Sequence, residues 1–156
     1  MASVALALLC ACTRIQTEYI DVEKEVPVEP VASYSFEGRS YSVHTLVCSE
    51  NDDYVEFLIA REPEAPFTSF VVLSVMKEHL GKAIDFSDYT YINRVDYMVI
   101  FEDVDHFYPS EYAPRQGTMT IKKSGNGYSL DLDARYMDGK ALSFSYDGEF
   151  ARFFGN

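Results

Sequence analysis

From residue 32 onward, apolar side chains recur at every second position in short runs separated by turn-forming residues. This is the pattern of β-strands with one buried face. The spacing of 3.6 residues that is typical of helices is almost absent. Strands joined by such short turns form antiparallel sheets, so we predict an all-β domain whose meander forms a sandwich or a flattened barrel. The predicted strands are residues 32–36, 39–48, 54–61, 67–76, 89–92, 95–102, 118–123, 128–136 and 140–150.

Residues 67–76 (FTSFVVLSVM) differ from the other runs because they are almost continuously apolar. With its β-branched residues, this run predicts a strand that is buried on both faces. A helix is the alternative, since several of its apolar residues also fit helical spacing. Residues 77–81 then form a tight turn or a single helical turn.

The C-terminal third predicts a meander whose register follows from its turns. Asn126-Gly127 suits a two-residue type I′ loop, which would pair Lys122 with Asp131. At the next corner, a two-residue loop would turn the apolar face outward. A three-residue loop, Met137-Asp138-Gly139, keeps the phase, pairs Leu132 with Phe144 and needs a left-handed backbone at Gly139.

The N-terminal residues MASVALALLCAC contain an apolar run too short to cross a bilayer but long enough for the core of a signal peptide. The run ends in Leu9-Cys10-Ala11-Cys12, which resembles the lipobox of bacterial lipoproteins. That resemblance implies a signal peptide at residues 1–11 and a lipid on Cys12. The alternative is a buried N-terminal strand or helix that carries two incidental cysteines.

Residues 12–31 favour the lipoprotein interpretation. They are polar and acidic, contain Pro27 and Pro30, and show no sustained period, as expected of a flexible linker. We therefore predict a lipid-anchored tether at residues 12–31, followed by a single β domain at residues 32–156. Lipidation of Cys12 would leave Cys48 without an intramolecular partner, so we expect a buried thiol there and no disulfide.

Composition and charge narrow the classes of partner. Nearly half of the 156 residues are hydrophobic, as in ordinary globular proteins. The 13 basic and 25 acidic residues give a net charge of −12, which disfavours binding to nucleic acids and to anionic lipid headgroups. We expect membrane contact through the N-terminal lipid alone and no cofactor.

The C-terminal strands contain a recurring strand-and-turn pattern formed by Gly117, Tyr128, Leu130, Asp138, Gly139, Lys140, Tyr146 and Gly148. This pattern resembles the closing strands of β-rich lipoproteins of Bacteroides-type bacteria. The resemblance implies a β-rich protein at the bacterial cell envelope, lipid-anchored to the outer membrane and facing either the periplasm or the surface. It carries over no catalytic residue.

Candidate chemistry is concentrated in residues 102–115 (EDVDHFYPSEYAPR), which join two predicted strands. Binding residues are often found on loops held by a rigid scaffold. Asp103-x-Asp105 resembles the start of a calcium loop, but Phe107 occupies the position of a third oxygen ligand, so we predict no metal site. The candidate ligand-binding residues are Asp103, Asp105, His106, Tyr108, Tyr112 and Arg115.

Three functional hypotheses follow. The first is a non-catalytic, lipid-anchored envelope module that binds a glycan, a peptide or an envelope protein. The second is an envelope hydrolase that uses Asp105 or Glu102 together with His106. The third is a barrel whose aromatic residues line a cavity for a small lipophilic ligand.

Lipidation of Cys12 is directly testable by mass spectrometry of the native protein. We expect a mature form that begins at Cys12 and carries acyl chains, each of which contributes about 0.8 kcal/mol of membrane affinity per buried CH₂. A mature protein that retains residues 1–11, or whose Cys12 is unmodified, would contradict the lipobox assignment.

Overall fold

A computed structural model of the protein describes residues 29–88 and 96–152, and in these residues the chain is all-β. There are two short 3₁₀ turns and no α-helix in the described part. The strands are β1 (Ala32–Phe36), β2 (Arg39–Val43), β3 (Thr45–Glu50), β4 (Tyr54–Ala60), β5 (Phe70–Met76), β6 (Ala83–Asp85), β7 (Tyr97–Asp103), β8 (His106–Tyr108), β9 (Gln116–Ser124), β10 (Gly127–Arg135), β11 (Ala141–Gly148) and β12 (Ala151–Arg152).

The strands form two six-stranded sheets. The first sheet has the order β2-β1-β11-β10-β9-β6, and the second has the order β12-β3-β4-β5-β7-β8. Neighbouring strands are antiparallel except β12, which is parallel to β3. Each sheet keeps two edge strands in the described residues. The sheets face each other as in a sandwich, so the all-β prediction is confirmed and the flattened barrel is not formed.

The chain crosses between the sheets at His44, where we had predicted one continuous strand over residues 39–48. β2 ends at Val43 in the first sheet and β3 begins at Thr45 in the second. Val43 and Leu46 are both buried, although they are three positions apart. This break in the period of two lets both strands bury a face while the chain changes sheet.

The core lies between the sheets and is filled largely by aromatic rings. Phe36 of the first sheet lies 4.5 Å from Phe101 of the second, and Tyr128 of the first lies 5.0 Å from Phe57 of the second, measured between ring centroids. Burying each such side chain contributes roughly 1.5–3 kcal/mol to stability. The aromatic residues thus pack against one another across the interface, as the core of a sandwich requires.

β5 is a strand, as predicted, but it is not fully buried on both faces. Val71, Leu73 and Val75 point into the core and are almost inaccessible to water. Val72, on the other side, is only half-buried. The continuous apolar run therefore reflects one core face and one apolar outer face, and the predicted turn after it is a 3₁₀ turn at Lys77–His79.

The β10–β11 corner has the predicted register. Leu132 pairs with Phe144, the loop is Met137-Asp138-Gly139, and Gly139 has a φ of +85°. The peptide N–H of Tyr136 donates to the carbonyl oxygen of Lys140 at 2.9 Å, which closes the three-residue loop. The three-residue loop predicted from the phase of the apolar face is therefore confirmed.

The β9–β10 register was predicted two residues away from its true position. The loop is Gly125-Asn126, with Gly125 at a φ of +55°, and Asp131 pairs with Thr120 instead of Lys122. Gly127 belongs to β10, where a Cβ atom would lie 1.9 Å from the carbonyl oxygen of Gly148. A shift of two residues leaves every side chain on its predicted face, so the error did not alter the predicted core.

Several predictions concern residues outside the described part of the chain. These are the signal peptide at residues 1–11, the lipid on Cys12, most of the tether at residues 12–31 and the strand at residues 89–92. Among the described residues, no helix has the length and apolar character needed to span a membrane.

Gly139 provides a test of the loop assignment. A Cβ atom there would meet no heavy atom within 4 Å, so any cost of substitution comes from the left-handed backbone alone. We expect Gly139→Val to lower the free energy of unfolding by about 1–3 kcal/mol, and Gly139→Asn to cost much less because Asn tolerates this conformation. Equal urea-denaturation midpoints for the two variants would show that the loop conformation is not a constraint.

Candidate functional site

The segment between β7 and β9, predicted as a long loop, contains additional regular structure. It turns at Val104-Asp105, returns as β8 alongside β7, and makes a 3₁₀ turn at Ser110–Tyr112 before β9. β8 is therefore an edge strand of the second sheet, and the side chains that follow it lie at the rim of the sandwich.

An open cleft of about 510 Å³ lies where this segment meets the β10–β11 corner of the first sheet. One wall is formed by Phe107, Tyr108 and Tyr112, and the other by Tyr136, Met137 and Asp138. Its lining is mostly apolar. Clefts of this size can bury much of a small ligand or several side chains of a peptide.

Two stacked tyrosines form the base of the cleft. The rings of Tyr108 and Tyr136 lie 4.1 Å apart at an angle of 22°. The Tyr108 hydroxyl donates a hydrogen bond of 2.6 Å to Oδ2 of Asp138. This bond joins the two walls, because Tyr108 belongs to the second sheet and Asp138 to a turn of the first.

Burial and this hydrogen bond shift the titration of the groups at the base. Desolvation by burial, followed by the bond to Asp138, raises the pKa of Tyr108 well above 10. Burial is also the main reason that the pKa of Tyr136 is raised. The bond from Tyr108 lowers the pKa of Asp138 below its ordinary 3.8. At neutral pH both tyrosines are therefore protonated, and Asp138 is charged.

Exposed apolar side chains are concentrated around the cleft. Phe107 is 61% exposed, Tyr112 62% and Met137 80%. Val31 and Val104 are the other two large hydrophobic residues in the described ranges with this degree of exposure. Isolated exposed apolar residues are normal, but three that line one cleft indicate a contact surface.

Charged side chains complete the lining of the cleft. Arg115 and Glu111 line it together with Asp138. The peptide N–H of Arg115 donates to the carbonyl oxygen of Arg135 at 2.8 Å, which fixes this part of the segment to β10. The cleft thus presents one guanidinium and two carboxylates beside an apolar surface.

Of the six predicted ligand-binding residues, Tyr108, Tyr112 and Arg115 line the cleft, and Asp103, Asp105 and His106 do not. Asp103 lies 3.7 Å from Arg61 and accepts a hydrogen bond from Ser69, so it connects β7 to the β4–β5 loop. Asp105 is exposed at the tip of the β7–β8 turn.

His106 faces the interior of the sandwich. Its ring lies 4.9 Å from the ring of Phe36. Glu102 pairs with Phe107, whereas His106 pairs with Asp103, so Glu102 and His106 project from opposite faces of the sheet. The structure therefore does not bring together the Glu102–His106 pair that the hydrolase hypothesis invoked.

The sequence reasoning missed the wall of the cleft formed by the β10–β11 corner. Tyr136 was predicted to end a strand, and Met137 and Asp138 to belong to the three-residue loop, so none of them was among the predicted ligand-binding residues. Met137 gave a usable signal, because a large apolar residue in a three-residue turn has no core to enter. Which segment Met137 would meet depends on contacts between the two sheets, and these are not encoded locally.

Searches against protein-family models, curated proteins and solved structures gave no match to this chain. The resemblance of the C-terminal strands to envelope lipoproteins remains a prediction from the sequence.

The Tyr108–Asp138 hydrogen bond predicts a pH-dependent effect of one hydroxyl group. Tyr108→Phe keeps the stacked ring and should cost about 0.5–1 kcal/mol of stability at pH 7, since Asp138 is largely exposed. Because the pKa of Asp138 is lowered in the folded state, this contribution is complete above about pH 3.8 and is lost as the pH falls through the lowered value. Urea denaturation of the native chain and the variant measures the stability cost of the substitution at pH 7 and its loss at pH 2.5.

Tyr112→Phe is the matched control for that experiment. Tyr112 belongs to the same cleft, but its hydroxyl forms no hydrogen bond with any described residue, so its removal should have little effect at either pH. If Tyr108→Phe and Tyr112→Phe behave alike, the bond to Asp138 does not stabilise the cleft.

Proposed function

We propose that this protein is a non-catalytic binding module, held at the bacterial envelope by a lipid on Cys12, whose cleft receives an apolar side chain of a peptide or protein partner. The observation that carries the proposal is the presence of Phe107, Tyr112 and Met137, all exposed, around one cleft. Keeping these groups in water forgoes roughly 25 cal/mol for each Å² of apolar surface that a partner would cover.

The composition of the cleft favours a peptide or protein partner over a glycan. Tyr, Phe, Met and Arg are the residues enriched at the centres of protein interfaces. A sugar ring needs many hydrogen-bonding groups for its hydroxyls, whereas this lining is mostly apolar. Aromatic and thioether groups suit an aliphatic or aromatic side chain, and Arg115, Glu111 and Asp138 can orient the backbone or polar groups beside it.

The rigidity of the base supports the same function. The Tyr108–Tyr136 stack and the bond to Asp138 hold the two walls in position before any ligand arrives. Pro109 and Pro114 restrict the segment that carries Tyr112. Because these groups are already ordered, they lose less conformational entropy on binding, and more of the contact energy is available for affinity.

The proposal can be tested with peptides selected from a displayed library of random 12-residue sequences against the full chain. We expect the selected peptides to share an aromatic or aliphatic anchor residue. Replacing both Tyr112 and Met137 with Ser should weaken binding at least tenfold in fluorescence anisotropy, which corresponds to about 1.4 kcal/mol. Both side chains are exposed, so the melting temperature should be nearly unchanged.

Val104→Ser is the matched control, because Val104 is exposed to a similar degree and does not line the cleft. It should change affinity less than twofold. Peptides that bind the Tyr112/Met137 variant as tightly as the native chain would refute the cleft as the binding site. Failure to select any peptide, together with glycan binding that depends on Tyr112, would show that the partner class is wrong.

A further inference from the structure

The outer faces of the two sheets differ in composition. On the first sheet, outward positions of the central strands are occupied by small polar and charged residues, such as Asp131, Asp133 and Ser145. On the second sheet, one row of paired outward positions is entirely aliphatic and crosses five strands. We call it the aliphatic row, and it consists of Ala151, Val47, Leu58, Val72 and Ile100 in the order β12-β3-β4-β5-β7.

The aliphatic row is the outer face of strands whose inner face is the core. Leu58 lies between Phe57 and Ile59, which are fully buried, and is itself half-buried. The same alternation holds for Val72 between Val71 and Leu73. A sheet that faced only water would be expected to carry polar residues at these positions, as the first sheet does.

The rows on either side of the aliphatic row carry little charge. Glu102 lies in one and Glu56 in the other, and these are their only charged residues in the described strands. Towards the β4–β5 loop the neighbouring row is Thr45, Ala60, Phe70, Glu102 and Phe107, and on the other side it is Ser49, Glu56, Ser74 and Met98.

We propose that two copies of the chain pack face to face through the aliphatic row, related by a two-fold axis that runs parallel to the strands between β4 and β5. This axis places β4 of one copy against β5 of the other, and β3 against β7. Leu58 then faces Val72 of the second copy, and Val47 faces Ile100, so the partly exposed members of the aliphatic row meet one another. Two sheets stacked in this way lie about 10 Å apart.

The placement of charge favours this particular axis. Glu56 lies opposite Ser74 of the second copy, and Glu102 lies opposite Thr45, so no carboxylate meets another. An axis through β4 itself would instead place Glu56 of one copy against Glu56 of the other. A face whose two carboxylates both fall opposite neutral residues is self-complementary, which a two-fold interface requires.

The dimensions of the face predict a weak dimer. Five strands at about 4.8 Å and three rows at about 6.8 Å cover roughly 20 by 20 Å, so two copies bury on the order of 1,000 Å² in total. This lies at the lower limit of specific interfaces. With a charge of −12 on each copy, mutual repulsion weakens the dimer further, and salt should strengthen it by screening.

The same axis places β8, which carries Phe107, at the margin of the interface, opposite β12 of the second copy. The inference is argued from the aliphatic row and its neighbouring rows, so it does not rest on the proposed function of the cleft. A different partner with a basic rim would be attracted by Glu56 and Glu102, so its binding would weaken with salt. Salt dependence thus distinguishes the two kinds of occupant.

Sedimentation velocity of the full chain, with Cys10 and Cys12 replaced by Ser to prevent acylation, provides the first test. Between about 1 µM and 1 mM protein we expect a monomer–dimer equilibrium whose dissociation constant falls severalfold when NaCl is raised from about 20 to 500 mM. Val72→Lys should abolish the dimer. Ser145→Lys, the same change in length and charge on the outer face of the first sheet, should retain it. Circular dichroism of each variant verifies folding.

Cross-linking tests the axis and does not depend on a substitution that could unfold the chain. In the double variant Val47→Cys/Ile100→Cys, the two thiols are about 14 Å apart within one copy but face each other between copies. A short bismaleimide should therefore produce a covalent dimer from the double variant and far less from either single variant. Cys48 should react slowly, since burial raises its pKa to about 11 and keeps it a thiol.

A chain that stays monomeric to about 1 mM at both salt concentrations, or a dimer that survives Val72→Lys, would overturn the proposal. A dimer that forms but cross-links equally well through Val47→Cys alone would overturn the axis, since residue 47 of one copy would then face residue 47 of the other.

Discussion

Packing of aromatic rings between the two sheets is the interaction on which the rest of the structure depends. Phe36 and Phe101 meet between the sheets, and the contacts continue through His106 and Tyr108 to Tyr136. The base of the cleft is therefore the outer end of the core and not a separate assembly. This continuity explains why a site at the rim of the sandwich can be rigid, and why substitutions of its buried rings affect both stability and binding. Residues that only line the opening, such as Tyr112, carry no such double role.

Much of the fold could be predicted from the sequence because it is encoded locally. Alternation specified which residues face the core, and the phase of the apolar face specified the three-residue loop that ends at Gly139. Between β9 and β10 two glycines compete for the turn, and local preference favoured Asn126-Gly127. The true register places Gly127 beside the backbone of Gly148, a contact with β11 that a single-strand pattern does not encode. The sheet change at His44 was missed for a related reason, since it depends on both sheets being present.

The candidate site was only half predictable. Tyr108, Tyr112 and Arg115 were found because polar aromatics and a cation cluster between two strands. The same reasoning also included His106 and Asp103, which do not line the cleft, because an alternating strand inside the supposed loop turns one into the core and pairs the other with Arg61. The opposite wall, with Met137, comes from a corner 22 residues beyond Arg115 in the chain. Only the packing of one sheet on the other brings these segments together.

The outer faces of the two sheets differ in charge, and this difference affects how copies of the chain associate. The polar face of the first sheet contributes to the net charge of −12, which keeps copies apart in solution. The aliphatic row carries no charge, so repulsion is weaker on this one face. Its area is too small for tight association in free solution. If Cys12 carries a lipid, copies on a membrane are confined to a thin layer, and the resulting increase in effective concentration favours weak contacts. The tether, the aliphatic row and the stacked tyrosines at the base of the cleft use different residues, so each feature can be tested by its own substitution.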